Sequence, residues 1–336
     1  MRIAIFLLFA FVCTISMQAQ QNQKITLEDI LVKGTFNAQT VDELRPMKDG
    51  EHYTTLENKT QIVKYSYKTG KEIDIVFDIT KIKDAPISEF DKYEFNADET
   101  KILLTTDIHP IYRHSYTATY YVWNAVTEEI SPLSDKGEQQ VAKFSPDGER
   151  IAFVRANNIF IKSLKFGTEN QVTNDGEKNK IINGVPDWVY EEEFGDFTAA
   201  EGFNRAFWWS PDSKFLAFVR FDESQVPDFT MPLYGGESPV NEHYKLYPGE
   251  ETFKYPKAGE RNSEVRVLVH ELRSKTNMDA DIGENKDIYI PRLKWTPDAN
   301  SLVIMRFNRM QNNLDVLYAN PFTGDSRIVF TEKNKR

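Results

Sequence analysis

Three adjacent carboxylates, Glu191, Glu192 and Glu193, stand in the stretch DWVYEEEFG, framed by Trp188, Tyr190 and Phe194. Carboxylates held close repel one another, and one of them takes a raised pKa unless a cation sits between them. On an extended strand adjacent side chains point to opposite faces. On a helical turn or tight bend they lie about 100° apart and can converge on one group. An ammonium group has three donors, which two carboxylates and a carbonyl satisfy. Trp188, Val189 and Tyr190 give such a bend apolar anchors. Composition alone equally allows a solvated acidic loop with the aromatics packed beneath it. A calcium site calls for more oxygen ligands at alternating spacing than this run offers.

A second group lies in YRHSYTATYYVW, from Tyr112 to Trp123, where Arg113 is followed by His114 and Ser115. An arginine in such a loop offers a planar fork for a carbonyl or carboxylate. A structural salt bridge at a sheet edge is the other reading, and His114 alone is weak evidence for a catalyst. There is no G-x-S-x-G, H-E-x-x-H, Walker loop or G-x-G-x-x-G. The five histidines are scattered without metal-ligand spacing, so no metal and no cofactor is expected.

The elements that would position these groups are strands. Short runs rich in Val, Ile, Tyr and Phe alternate with Asp, Asn, Gly and Pro from about Pro46 onward. One phrase recurs, in FNADETKILLTT at Phe95, FSPDGERIAFVR at Phe144, WSPDSKFLAFVR at Trp209 and WTPDANSLVIMR at Trp295; a weaker copy begins at Met47. An aromatic ends one strand, Pro and Asp make the turn, and an apolar run opens the next. Intervals near 49 residues fit four short strands, one blade of a β-propeller; longer ones carry insertions, which fall at a propeller's faces. The fold expected is all-β, with about five four-stranded blades. An irregular β-sandwich is the alternative. Before the strands, Ile25 to Phe36 reads as a short helix capped by Thr26 with Asp29 and stopped by Gly34.

The 336 residues are 40% apolar and 13% aromatic, enough for a sizeable core, and the net charge is −10. That charge argues against nucleic acid or an anionic membrane surface as partner. Residues 1–19 read as a secretory signal, with Arg2 before the apolar run Ile3 to Val12 and Ala19 as last residue before cleavage. Met17, three residues before that cut, is not small, which leaves the exact cut open. A retained anchor and a lipid-modified Cys13 are the alternatives. Cys13 is the only cysteine, so removing the leader leaves neither disulfide nor thiol nucleophile. No later stretch is apolar enough to span a membrane. An exported protein is expected, periplasmic or associated with the cell envelope in a Gram-negative-type bacterium.

DWVYEEEF closely resembles the signature of dipeptidyl peptidase IV, in the serine exopeptidase branch of the prolyl oligopeptidase family. RHSYTA before it, and WWSPD and YPKAG after it, match in the same order. TLEDI with GTF resembles the N-terminal arm of bacterial members. The resemblance implies an eight-bladed propeller over an α/β-hydrolase domain that removes N-terminal dipeptides with Pro or Ala second, in enzymes that are homodimeric. It implies that Glu192 and Glu193 hold the substrate's α-ammonium, that Arg113 contacts a substrate carbonyl, and that Trp188, Tyr190 and His114 support them. On this reading residues 20–45 are the arm and 46–336 part of the propeller. The hydrolase domain, with its Ser, Asp and His, is expected beyond Arg336. The segment DFTAAEGFN after Gly195 is longer than the family pattern and would alter the rim beside the glutamates. An exported propeller that binds peptides or a partner protein without chemistry, and a cell-wall scaffold, are the alternatives.

Overall fold

The computed structural model describes residues 24–38, 40, 41, 43–194, 204–235 and 244–335. The expected leader with Cys13, and the segment after Gly195 up to Phe203, lie outside the described residues.

Two units are distinguished, Met1–Leu44 and Arg45–Arg336. In the first, helix α1 spans Leu27–Leu31. Thr26 Oγ1 accepts the Asp29 N–H at 3.1 Å, and the Thr26 N–H donates to Asp29 Oδ2 at 3.0 Å, a reciprocal capping box. Gly34, with φ of 58°, takes the left-handed conformation that ends the turn.

The second unit is a β-propeller. Its first three blades are β1–β4 (Arg45–Pro46, His52–Glu57, Gln61–Ser66, Glu72–Asp78), β5–β8 (Lys92–Phe95, Lys101–Pro110, Tyr116–Asn124, Glu129–Pro132) and β9–β12 (Gln140–Phe144, Arg150–Arg155, Asn158–Ser163, Glu169–Gln171). The fourth is built from β13 (Ile181–Asn183), β14 (Phe207–Trp209), β15 (Phe215–Asp222), β18 (Glu264–Glu271) and β19 (Thr276–Asp279). A separate hairpin, β16 (Asp228–Leu233) with β17 (Gly249–Lys254), leaves it between β15 and β18. The fifth is β20–β23 (Ile288–Trp295, Leu302–Asn308, Asn313–Ala319, Ser326–Lys333). All pairings are antiparallel.

The recurring phrase joins the first and second strands of a blade, and its chemistry is visible in four places. Asn96 Oδ1, Ser145 Oγ, Ser210 Oγ and Thr296 Oγ1 each accept the backbone N–H five residues on, at 2.8, 3.0, 2.9 and 3.0 Å. Asp98, Asp147, Asp212 and Asp298 each accept the N–H two residues on, between 3.0 and 3.2 Å. The residue after each Asp has positive φ.

Successive blades bury a core between them. On β10, Ile151 and Phe153 pack toward the second blade, while Ala152 and Val154 pack toward the fourth. On β15, Leu216 and Phe218 face the third blade, and Phe215, Ala217 and Val219 face the fifth. Side chains alternate across a strand, so a blade sandwiched between two others needs apolar residues on both faces. That is why these strands read as unbroken apolar runs.

The fourth blade departs from this regularity. β13 and β14 both pair with β15, Asn183 opposite Arg220 and Phe207 opposite Phe218. They are one first strand with an excursion cut into it. Gly184 donates to the Val219 carbonyl at 3.1 Å and accepts from the Ala206 N–H at 2.8 Å, closing the mouth of the excursion. Gly184 has φ of 77°, and a Cβ there would lie 2.7 Å from Ile159, so only glycine fits.

Candidate functional site

The excursion carries the acidic run. Trp188–Glu193 form helix α2, with Asp187 as its N-cap accepting the Tyr190 N–H at 2.9 Å. The buried Asp187 also accepts a hydrogen bond from Ser263 Oγ at 2.5 Å. Burial raises the Asp187 carboxyl above its usual range despite these bonds.

Aromatic anchors hold the helix. Tyr190 is buried, and its hydroxyl accepts the Ile290 N–H of the fifth blade at 2.8 Å. Arg292 donates to the Phe194 carbonyl at 3.2 Å, just past the last turn. Trp188 lies on Tyr255, the first residue of YPKAG, with ring centroids 4.2 Å apart. Tyr190 and Trp188 therefore face protein, and the three glutamates are distributed around the remaining arc.

Their environments differ sharply. Glu191 is buried to 1% exposure. Its Oε1 accepts the N–H of His114 at 2.9 Å and of Ser115 at 2.7 Å. Glu192 is half-buried, and Glu193 is exposed, its side chain making no hydrogen bond or ion pair to any of the described residues.

The second partner comes from the second blade. The hairpin between β6 and β7 runs past the sheet and closes with the Ile111 N–H on the Ser115 carbonyl at 2.8 Å. Arg113 sits at its tip. The Arg113 N–H reaches Glu192 Oε1 at 3.4 Å, and Arg113 Nε lies 3.5 Å from Glu192 Oε2. The Arg113 side chain is 73% exposed and that of Glu192 13%. The fold thus brings Arg113 to Glu192 across 79 residues of sequence. The His114 ring is exposed, and this residue meets the helix through its backbone.

Behind the helix lies a cavity of about 460 Å3, lined by Tyr112, Asp187, Trp188, Glu191 and Glu223 among others. Glu192 and Glu193 are not in its walls. Glu191 Oε2 is buried without a hydrogen-bond partner. Burial, reinforced by Asp187, pushes the Glu223 carboxyl up to about 7. Burial and the nearby acids also raise the Tyr112 phenol. Among the described residues no three His, Cys, Asp or Glu side chains are grouped as metal ligands.

Sequence reasoning did not single out Asp187, Ser263 or Glu223. Asp187 carried a signal, since Asp immediately before an apolar-periodic run is a helix N-cap. Ser263 and Glu223 carried none, because only the fold brings Ser263 to Asp187 and Glu223 to the cavity.

The family model for the dipeptidyl peptidase IV (DPP IV) N-terminal region matches residues 96–336. "Probable dipeptidyl peptidase 4" of Neosartorya fischeri is 35% identical over 231 residues, covering 67% of this chain and 28% of that protein. Prolyl endopeptidase FAP of Homo sapiens is 31% identical over 312 residues, 90% of this chain and 38% of that one. The crystal structure of Porphyromonas gingivalis dipeptidyl peptidase 4 superposes with a TM-score of 0.84 at 40% identity, over 94% of this chain and 43% of that chain. The chain therefore spans well under half the length of these relatives. With the propeller, the acidic helix and the Arg113 hairpin in place, the chain belongs to the dipeptidyl peptidase IV family, in its N-terminal region.

Proposed function

We propose that this chain is the substrate-recognition propeller of a dipeptidyl peptidase IV-like serine exopeptidase, holding the free amino terminus of a peptide whose second residue is Pro or Ala. Glu192 and Glu193 take the α-ammonium, and Arg113 takes a backbone carbonyl. Bond cleavage belongs to a hydrolase domain of the whole enzyme. Export, expected from the leader, is part of the same proposal.

The observation that carries it is the meeting of Arg113 with Glu192 at the surface, beside an unpaired Glu193. Two carboxylates and one guanidinium leave one negative charge, which a single ammonium neutralises. The exposed guanidinium approaches Glu192 through Nε, while its terminal nitrogens make no bond to any of the described residues; they are available to an incoming carbonyl. An ammonium bound there puts the second peptide bond at a fixed distance, because the α-amine and the scissile carbonyl are separated by two residues. An internal stretch of peptide brings no ammonium and leaves the carboxylates desolvated and unpaired.

The test is titration calorimetry of the purified chain with Ala-Pro-Ala and with its N-acetylated form. The free peptide binds and the acetylated peptide does not compete with it. Glu192→Gln weakens the free peptide by about 2–4 kcal/mol, the loss of a charge-assisted bond to a desolvated ammonium. Equal affinity for the two peptides in the unmutated protein sinks the assignment.

A further inference from the structure

We infer that Glu191, the first of the three glutamates, is a positioning residue that fastens the Arg113 hairpin to the helix carrying Glu192 and Glu193. This inference rests on the recognition role proposed above and assigns the third carboxylate of the run a different job from its neighbours.

The geometry separates the three. Glu191 is buried, and a side chain at 1% exposure cannot meet a peptide arriving from solvent. One of its oxygens accepts two consecutive backbone N–H groups, His114 at 2.9 Å and Ser115 at 2.7 Å. The next N–H back along the hairpin, that of Arg113, points at Glu192 at 3.4 Å. Three successive amides of one loop therefore converge on two successive carboxylates of one helix. Successive N–H groups form a concave anion-binding surface, and here its anion is built into the protein. The hairpin contributes no apolar anchor of its own at Arg113 or His114, which are both exposed. Among the described residues, without the Glu191 bonds the loop bearing Arg113 is tied to the helix only through Glu192, the residue the substrate must engage; its other fastenings, Asn204 Nδ2 to the His114 carbonyl and Tyr112 against Phe253, lie off the helix. With the Glu191 bonds, Arg113 stays in place whatever Glu192 is doing.

The bonds need an acceptor oxygen at Oε1, not a charge. Oε2 has no partner in the structure. Glutamine keeps the acceptor and puts an amide nitrogen at the unpartnered position. Alanine removes the acceptor. That contrast separates positioning from ligation.

The experiment uses the purified chain in four forms: unmutated, Glu191→Gln, Glu191→Ala and Glu192→Gln. Two quantities are read, hydrogen exchange at the His114 and Ser115 amides, and the affinities for Ala-Pro-Ala and its N-acetylated form with their ratio. Glu191→Ala speeds exchange at both amides by about tenfold or more, and affinity for Ala-Pro-Ala falls by about tenfold because Arg113, which takes its carbonyl, is no longer held. Glu191→Gln stays within about threefold of the unmutated protein on both counts. Glu192→Gln lowers the affinity ratio and leaves the two amides protected. Two results overturn the inference: Glu191→Gln losing as much discrimination as Glu192→Gln, or Glu191→Ala leaving the two amides as protected as before. Should Glu191→Ala fail to fold, slow exchange at both amides of the unmutated protein together with retained binding by Glu191→Gln decides in favour, and fast exchange decides against. If the unmutated chain does not discriminate free from acetylated peptide, the recognition role fails while the exchange arm still reports on the fastening.

Discussion

Two buried groups of acids lie one blade apart, and they are built on opposite plans. In the third blade, Glu169 has a side chain 6% exposed and is surrounded by donors. Arg155 Nη2 approaches at 2.7 Å, Ser134 Oγ at 2.7 Å and Lys136 Nζ at 3.3 Å. Burial alone would raise this carboxyl, but the bonds to Arg155 and Ser134 outweigh it and hold the group down at about 2. Around the cavity behind α2, Asp187, Glu191 and Glu223 are equally buried, and among the described residues none of them is ion-paired, although Lys254 pulls partly against the rise at Glu223. Asp187 and Glu223 are raised, and one oxygen of Glu191 has no partner. A cation beside a buried carboxylate keeps it charged and its pKa low. Acids held without one are under electrostatic tension, as Asp187 and Glu223 are behind α2.

The contrast is tested most severely at Arg155. Arg155→Met takes the nearest cation from buried Glu169, leaving it Ser134 Oγ and the more distant, exposed Lys136, and should cost about 3 kcal/mol by urea unfolding. Adding Glu169→Met to the same chain should recover most of that loss, because two apolar side chains of similar volume replace the pair. The penalty should also depend on pH. The folded-state pKa of Glu169 is depressed to about 2 from 4.5, so the pair's contribution is present above 4.5 and is lost as pH falls toward 2. A single mutant as stable as the double would mean that Glu169 finds another partner, and the contrast with the cavity would dissolve.

Glu223 is expected to behave in the reverse sense. Its folded-state pKa is raised from 4.5 to about 7, so the folded protein holds this proton more tightly than the unfolded chain. Its favourable contribution is present below pH 4.5 and disappears as pH rises to about 7. A shift of this size corresponds to at most about 3 kcal/mol between the two limits. Glu223→Gln keeps the neutral form at every pH. It should match the unmutated protein near pH 4.5 and exceed it in stability at pH 8, by up to that amount. Parallel stability curves for the two proteins between pH 4 and 8 would show that Glu223 titrates normally and that the cavity is not under tension.

How much of this was written in the sequence depends on the range of the contact. Helix α1 is set by Thr26, Asp29 and Gly34, all within a little over two turns of each other, and it is found where it was read, over the shorter span Leu27–Leu31. The turn phrases are equally local, each an Asp bonding its own backbone two residues on. The blade count follows from repeating them. The interrupted first strand of the fourth blade was not legible. Three residues on either side of an excursion, Ile181–Asn183 and Phe207–Trp209, are too short to show a period, and their common partner β15 is what makes them one strand. The approach of Arg113 to Glu192 spans 79 residues and came through family resemblance, since no local rule links them. The division of labour within Glu191, Glu192 and Glu193 was hidden for a similar reason. Three identical residues in a row differ only in what the fold puts around them.

One further pair isolates burial from pairing. Arg266 and Asp279 meet in a two-bond fork, with Nε to Oδ1 at 2.8 Å and Nη2 to Oδ2 at 2.5 Å, whereas Arg155 meets Glu169 through a single Nη2–Oε1 bond and turns Nη1 to Ser134. Their side chains are 46% and 53% exposed, however, against 14% and 6% for the buried pair. Water already solvates both charges, so their attraction is weak and screened. Arg266→Ala should cost less than about 1 kcal/mol, shrinking further as salt is raised toward 1 M, where the Debye length is about 3 Å. The same salt series should barely move the Arg155→Met penalty, because the buried pair excludes the screening ions. If Arg266→Ala costs as much as Arg155→Met, fork geometry rather than burial sets the strength of these pairs. Glu223 would then owe its raised pKa to the neighbouring acids more than to its removal from water.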